Sequence, residues 1–269
     1  MKVKFKKTAK KFGHDSRGFR FEDGDVRDVP AEYAQHLFKH WADNFESIVL
    51  SLENLGPPLH EPITISDITI ITLHHKTAIF ERCLLPSIPQ EVEFIKLDNL
   101  ANKNWTSVAK ALNFGIKKAE NNIIICCHED VRFDRSWFDD LIQQEARLKD
   151  WGVLGITGFD TDRRVHWGSD YNEPRKIAFL DECCLILNRK NGLLFDDETF
   201  GSWHRYGIDF CLQCHEAGLG VYIITGLAHH DCNPDNHNRE WWEQHKIAHR
   251  LLEEKWQDKF GSLLPAVIN

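Results

Sequence analysis

What the chain lacks narrows the field first. No apolar run approaches the roughly 20 residues that a membrane-spanning helix needs, so no transmembrane segment is expected. The basic start MKVKFKKTAKK is not followed by the apolar stretch of a secretory signal, and a cytoplasmic location is expected. There is no internal repeat and no low-complexity segment. Positive charge is in short supply: 33 Lys and Arg face 41 Asp and Glu, a formal net charge of −8. Neutralising nucleic-acid phosphates takes a basic surface, so general nucleic-acid binding is not expected. An anionic small-molecule substrate would need a local remedy instead, such as a metal ion or a helix N-terminus.

What is present suits one large α/β domain with a small appendage: 269 residues, 42% of them hydrophobic. The eight cysteines, several inside apolar runs, read as reduced, buried small hydrophobes of a cytosolic protein. Residues 1–55 form the appendage. Val3 and Phe5 alternate with lysines, Phe19 and Phe21 alternate again, and Gly13, Gly18 and Gly24 supply turns, which predicts a hairpin-rich unit. Pro30 then opens a predicted helix with Tyr33, Leu37 and Trp41 on one face. The lysines read either as a nucleic-acid patch or as protection of a solvated edge strand. This unit resembles small β-units of phage accessory proteins. Pro57, Pro58 and Pro62 mark a linker.

From residue 63 to 269 strands and helices alternate. Strands are predicted at 68–73, 92–97, 122–127, 153–157, 178–187 and 221–225, and helices at 78–85, 108–119, around 137–142, 207–217 and 240–260. The helix at 108–119 carries Val108, Ala111, Leu112, Gly115, Ile116 and Ala119 at helical spacing, and the last one places Trp241, His245, Ala248, Leu252 and Trp256 on one stripe. Strand–helix alternation with short connections predicts right-handed crossovers and a mostly parallel sheet. The pivotal stretch is NIIICCHEDV at 122–131: a β-branched run ending in His128, Glu129 and Asp130. A buried strand stopping in a polar cluster is how parallel sheets present chemistry, because ligands bind beyond the strands' carboxyl ends. A solvated turn is the plainer alternative.

Seven motifs in order carry a resemblance: IITLHH (70–75), KLDN (96–99), SVAKALNFGIKKA (107–119), CHEDV (127–131), LDECC (180–184), HRYGIDFCL (204–212) and GLAHHD (226–231). Together they resemble a family 2-type glycosyltransferase with the nucleotide-sugar-binding GT-A fold, over roughly residues 65–260. The resemblance implies a Rossmann-like, mostly parallel sheet flanked by helices, with the N-terminal unit as a small α+β extension. It implies transfer of a sugar from a nucleotide-sugar donor, first of all a UDP-sugar, to an acceptor hydroxyl with inversion.

On this resemblance the donor would meet His74, Asp98, Asn99, Asn113, His128 and Glu129, with Asp98 on the base or ribose. His128-Glu129-Asp130 stands at the Asp-x-Asp position, with His128 replacing the first aspartate. Asp130 would ligate a divalent cation, helped by His128 and by His230 or His229. Mg²⁺ and Mn²⁺ prefer oxygen ligands, and an imidazole suits Mn²⁺ better. Asp209 matches the catalytic base, although Gly207 and Ile208 stand where relatives often carry a second acid. Asp209 as a plain helix N-terminal acid is the alternative. Asp181 and Glu182, in the middle of a predicted hydrophobic strand where idle charge is costly, read as acceptor-side residues or reserve base candidates, Asp181 first as the base and Glu182 first on the acceptor side. Trp203, His204 and Trp167 form either an acceptor surface or ordinary core.

Cys211-x-x-Cys214-His215 spells a haem-attachment motif, and with Cys232 it could make a zinc site at non-standard spacing. Neither is expected. The competing functions are a non-catalytic nucleotide-sugar or glycan-binding protein of the same fold, and a zinc-stapled structural or accessory protein.

Overall fold

The computed structural model describes residues 57–264 apart from 163, 172 and 232–238, together with three short N-terminal strands. The chain divides into two compact units, 1–56 and 57–269. In the first, β1 (Lys2–Phe5), β2 (Val26–Asp28) and β3 (Phe45–Ile48) form an antiparallel sheet in the order β2-β1-β3. The alternation at Val3 and Phe5 lies in β1. The expected strand around Phe19 and Phe21 and the expected helix from Pro30 to Trp41 fall outside the described residues.

The second unit begins with β4 (Ile68–His74), α1 (Thr77–Arg82), β5 (Glu93–Asp98), α2 (Val108–Lys118), β6 (Ile123–Cys127), β7 (Val131–Phe133), α3 (Trp137–Glu145) and β8 (Trp151–Gly155). There follow β9 (Thr157–Phe159), β10 (Val165–Trp167), β11 (Arg175–Lys176), β12 (Phe179–Leu180) and β13 (Cys184–Asn188). It closes with α4 (Tyr206–Glu216), β14 (Gly220–Ile223), β15 (Ala228–His230) and α5 (Arg239–Phe260). Seven strands make one sheet in the order β11-β14-β8-β13-β6-β4-β5. β5, β4, β6, β8 and β14 run one way, while β13 and β11 run against them. A mixed, mostly parallel α/β sheet is the result.

Apolar runs without alternation build this sheet because it is buried on both faces. In β4, Ile71 and Leu73 join one core with α2, α4 and α5, while Ile68 and Ile70 join the other with α1 and α3. β6 divides likewise, with Ile124 and Cys126 on one side and Ile123, Ile125 and Cys127 on the other. Burying each such aliphatic side chain stabilises by roughly 1.5–3 kcal/mol. Ser107 caps α2 by accepting the Lys110 N–H at 3.3 Å. The helix then lies tight on β4 because Gly115 has no side chain: a Cβ there would stand 2.7 Å from Ile71 Cγ2.

The structure corrects one expectation with consequences for function. Residues 178–187 are not one strand. β12 pairs with β9 in a small sheet of order β10-β9-β12, β13 lies in the main sheet, and Asp181 and Glu182 occupy the turn between them. A continuous strand would have pushed two carboxylates into the cores on opposite faces. Instead the chain breaks: Asp181 N–H donates to Thr157 O at 3.0 Å, and its carboxylate accepts the Cys183 N–H at 2.8 Å, a turn aspartates favour. A second small sheet, β7 with β15, was not foreseen; it brings residues 228–230 beside the end of β6.

Candidate active site

A cleft of about 1100 Å³ opens at the carboxyl ends of β4 and β6. Its floor includes Leu73, Val108, Leu112 and Cys126, and its polar walls come from 128–130, 181–182, 203–205 and His230–Asp231. The first turns of α5 complete it with Glu240, Trp241, Gln244 and His245.

Three side chains converge at the end of β6. Asp130 follows β6, and the β7–β15 pairing sets His230 opposite Val131. His230 Nε2 then stands 3.3 Å and His128 Nδ1 3.9 Å from Asp130 Oδ1, with the two rings edge-to-face at 5.5 Å. One ligand atom from each of the three lies within 4.8 Å of the others. Burial works against ionising Asp130, yet the two imidazoles outweigh it and hold the carboxyl below its usual range. Its Oδ1 is buried with no aligned hydrogen-bond donor, an arrangement that buried carboxylates rarely sustain. An anionic oxygen and two imidazoles at this spacing fit a divalent ion, and the imidazoles favour a metal such as Mn²⁺ over Mg²⁺. His229 projects from the same short strand but is exposed and does not line the cleft. Asp181, Cys183 and His230 form a second close group, in which burial pushes the Cys183 thiol well up.

Several residues assigned to the donor are occupied elsewhere. Glu129 borders the cleft, but its carboxylate accepts the N–H groups of His75 at 2.8 Å and Lys76 at 2.9 Å, tying the end of β6 to the start of α1. Asn99 is buried, accepting from the Asn104 and Trp105 N–H groups and donating to Trp105 O, so it staples its own loop. Asn113 exchanges two hydrogen bonds with the Phe195 backbone. His74 is buried against Phe80 outside the cleft lining, and Asp98, 3.5 Å from His74, also lies outside it. His75 replaces His74 at the cleft, 3.0 Å from Asn102 Oδ1 and edge-on to Trp203.

Asp209 requires the largest correction. It is fully buried in the first turn of α4 and faces α5 rather than the cleft. It accepts from Lys255 Nζ and Trp256 Nε1 at 2.7 Å each, and from Gln213 Nε2 at 2.8 Å. These contacts tie α4 to α5, and the carboxylate does not line the cleft. On the acceptor side, Trp203 and His204 line the cleft together with Asp181 and Glu182, whereas Trp167 lies in β10 outside the lining. The Cys211-x-x-Cys214-His215 segment is spent on packing within α4. Cys211 Sγ accepts the Leu180 N–H, His215 Nε2 bonds Ala178 O at 2.9 Å, and burial pushes the Cys211 thiol up to about 12. Cys232 falls outside the described residues.

Sequence reasoning missed the contribution of α5. Trp241 and His245 stack at 5.0 Å, and His204 meets Trp241 edge-on at 4.8 Å. The signal was present: along the α5 stripe Ala248, Leu252 and Trp256 are buried, but the first positions are Trp and His, amphipathic residues suited to a wet wall.

No protein-family model matches the chain. A curated relative, "ATP synthase subunits region ORF 6" of Fuscovulum blasticum, is 28% identical over 161 residues, covering 53% of this chain. The match spans 64% of that protein, less than two thirds of its length. Among solved structures, GalNAc-T7 with UDP, GalNAc and Mn²⁺ superposes with a TM-score of 0.52 at 9% identity, over 72% of this chain and 48% of that one. The mannosyltransferase PcManGT of Pyrobaculum calidifontis, in complex with GDP-Man and Mn²⁺, gives 0.48 at 13% identity over 80% and 69%. TarS of S. aureus gives 0.41 at 15% identity over 69% and 65%. The GalNAc-T7 likeness, with the sheet order described above, shows that the second unit has the GT-A fold.

Proposed function

We propose that the chain is a divalent-metal-dependent glycosyltransferase, taking a sugar from a nucleotide-sugar, first of all a UDP-sugar, to an acceptor hydroxyl with inversion. One observation carries this reading: the buried Asp130 Oδ1, flanked by His128 and His230 without an aligned hydrogen-bond donor, at the carboxyl end of a central strand in an open cleft. Asp130, His128 and His230 would hold the ion, which when bound offsets the charge of the donor diphosphate. In an acidic protein this supplies the local remedy an anionic donor needs. Apolar Leu73, Val108 and Leu112, with His75 and Trp203 at the rim, suit the flat ring of a nucleoside. Trp241, His245 and His204 suit the apolar faces of an acceptor sugar, with Glu240 and Gln244 to bind its hydroxyls.

The reading includes residues 63–269 as the transferase domain and 1–55 as a separate unit. It also includes a reducing, cytoplasmic setting, for which the seven described free cysteines speak. Among the described residues no helix is long and apolar enough to cross a membrane. The test is a thermal-shift and calorimetric screen of UDP- and GDP-sugars with and without Mn²⁺, since a ligand of the native state raises its apparent stability. Metal-dependent binding of one donor, followed by slow release of its nucleoside diphosphate, is expected. Absence of binding to any nucleotide-sugar with Mn²⁺ or Mg²⁺ contradicts the proposal. Binding without turnover points to the non-catalytic module.

A further inference from the structure

We propose that Glu182, from the turn between β12 and β13, is the general base that takes the acceptor's proton, an assignment that rests on the transferase reading above. Glu182 lines the cleft beside Asp181. Its Oε1 accepts the Gly207 N–H at 3.0 Å, which fixes the carboxylate on the first turn of α4 where unpaired N–H groups favour an anion. The neighbouring residue makes this possible: a Cβ on Gly207 would stand 2.7 Å from Glu182 Cγ, so the helix leaves open the space the glutamate fills.

The other cleft carboxyls are less suited. Glu129 is engaged with two backbone N–H groups, and Asp130 belongs to the metal set. Asp181 is the more exposed of the turn pair and closes its own turn through Cys183. The charged groups facing Glu182 are Asp181 and Arg205. Tyr206, whose hydroxyl donates to Glu182 O at 3.4 Å, and Cys211 are both pushed up and stay neutral. Burial lifts Glu182 to about 8, Asp181 adding to the shift while the Gly207 N–H and Arg205 oppose it. A carboxyl tuned close to working pH is a stronger base than an ordinary one.

In the step assigned to it, the acceptor oxygen forms a bond to the anomeric carbon as the bond from that carbon to the phosphate oxygen breaks. The bonding pair leaves with the nucleoside diphosphate, and the hydroxyl proton passes to Glu182 and then to solvent.

The full chain, supplied with Mn²⁺ and UDP-glucose, UDP-N-acetylglucosamine or GDP-mannose, is expected to transfer the sugar to water, the simplest acceptor, and to release UDP or GDP. Glu182→Gln is expected to lower that rate by roughly 10²–10⁴-fold, to remove the limb of the pH–rate profile near pH 8, and to leave calorimetric affinity for the nucleoside diphosphate with Mn²⁺ unchanged. In the double variant Glu182→Ala/Gly207→Asp the lost Cγ clears room for a new carboxylate on the same helix turn. That variant is expected to release diphosphate faster than Glu182→Ala alone. Three results would overturn the assignment: a Glu182→Gln rate within a few-fold of wild type, a rate loss matched by lost diphosphate affinity, or a double variant no faster than Glu182→Ala. Failure of the wild type to bind either diphosphate with Mn²⁺ overturns the transferase reading itself, and the base assignment with it.

Discussion

Asp130 and Asp209 are two aspartates in the same α/β unit with opposite fates. Asp209 is fully buried and has an acceptor's full complement: an ammonium, an indole N–H and an amide. Asp130 is partly buried, lies between two imidazoles, and has an oxygen without an aligned donor. A buried charge that is fully hydrogen-bonded holds elements together, here α4 against α5. A carboxylate left wanting a partner inside a cleft is available for something the protein binds. Position in the first turn of a helix does not by itself decide what Asp209 does. The partners do.

The comparison breaks most visibly if the two residues behave alike under mutation. Asp130→Ala should abolish Mn²⁺-dependent binding of UDP or a UDP-sugar while far-UV circular dichroism and unfolding midpoint stay near wild type; unchanged calorimetric affinity would remove Asp130 from the metal site. His230→Ala should weaken the same affinity by at least the roughly 10–100-fold that losing even an outer partner of a metal ligand costs. His229→Ala, one residue earlier on the exposed side, should leave it unchanged. Asp209→Ala should do the reverse of Asp130→Ala. Denaturant unfolding should show a loss of about 3 kcal/mol, since breaking a buried pair leaves Trp256 and Gln213 without an acceptor, while donor affinity of the folded protein holds.

The smallest effect belongs to Asp196, which shares Lys255 with Asp209 at 2.7 Å. Burial opposes its ionisation, but Lys255 and Thr199 prevail and bring it from 3.8 to about 2. Its folded value is therefore depressed, so its contribution to stability is present above pH 3.8 and lost as pH falls through about 2. Asp196→Asn should flatten acid destabilisation in that window and change stability at pH 7 by less than about 1 kcal/mol. An unaltered acid-unfolding curve would show that the Lys255 pairing does not sense Asp196.

The layered α/β fold was legible because β4 and β6 are continuous apolar runs and α2 carries its apolar face at strict helical spacing. The ends of those strands were legible too, since His128-Glu129-Asp130 stops a buried run abruptly. What one dimension hid was partnership. Nothing near Asp209 in sequence announces Lys255 and Trp256, which lie one helix away, and nothing near Asn113 announces Phe195. The 178–187 run looked like a strand because the two acids were weighed as exceptions to an apolar pattern, when an aspartate two residues before a turn amide is itself a chain break. The short pairing of β7 with β15, which decides between His230 and His229, depends on long-range contacts too brief to leave a periodic trace.

The central claim is that His128, Asp130 and His230 hold the divalent ion on which donor binding depends. Its most direct test is diffraction from crystals grown with UDP and Mn²⁺, measured for anomalous scattering from manganese. The account predicts one anomalous peak within coordination distance of Asp130 Oδ1 and both imidazoles, adjoining the UDP diphosphate. UDP bound in the cleft with no anomalous peak at these three residues, or a peak elsewhere in the chain, would contradict it.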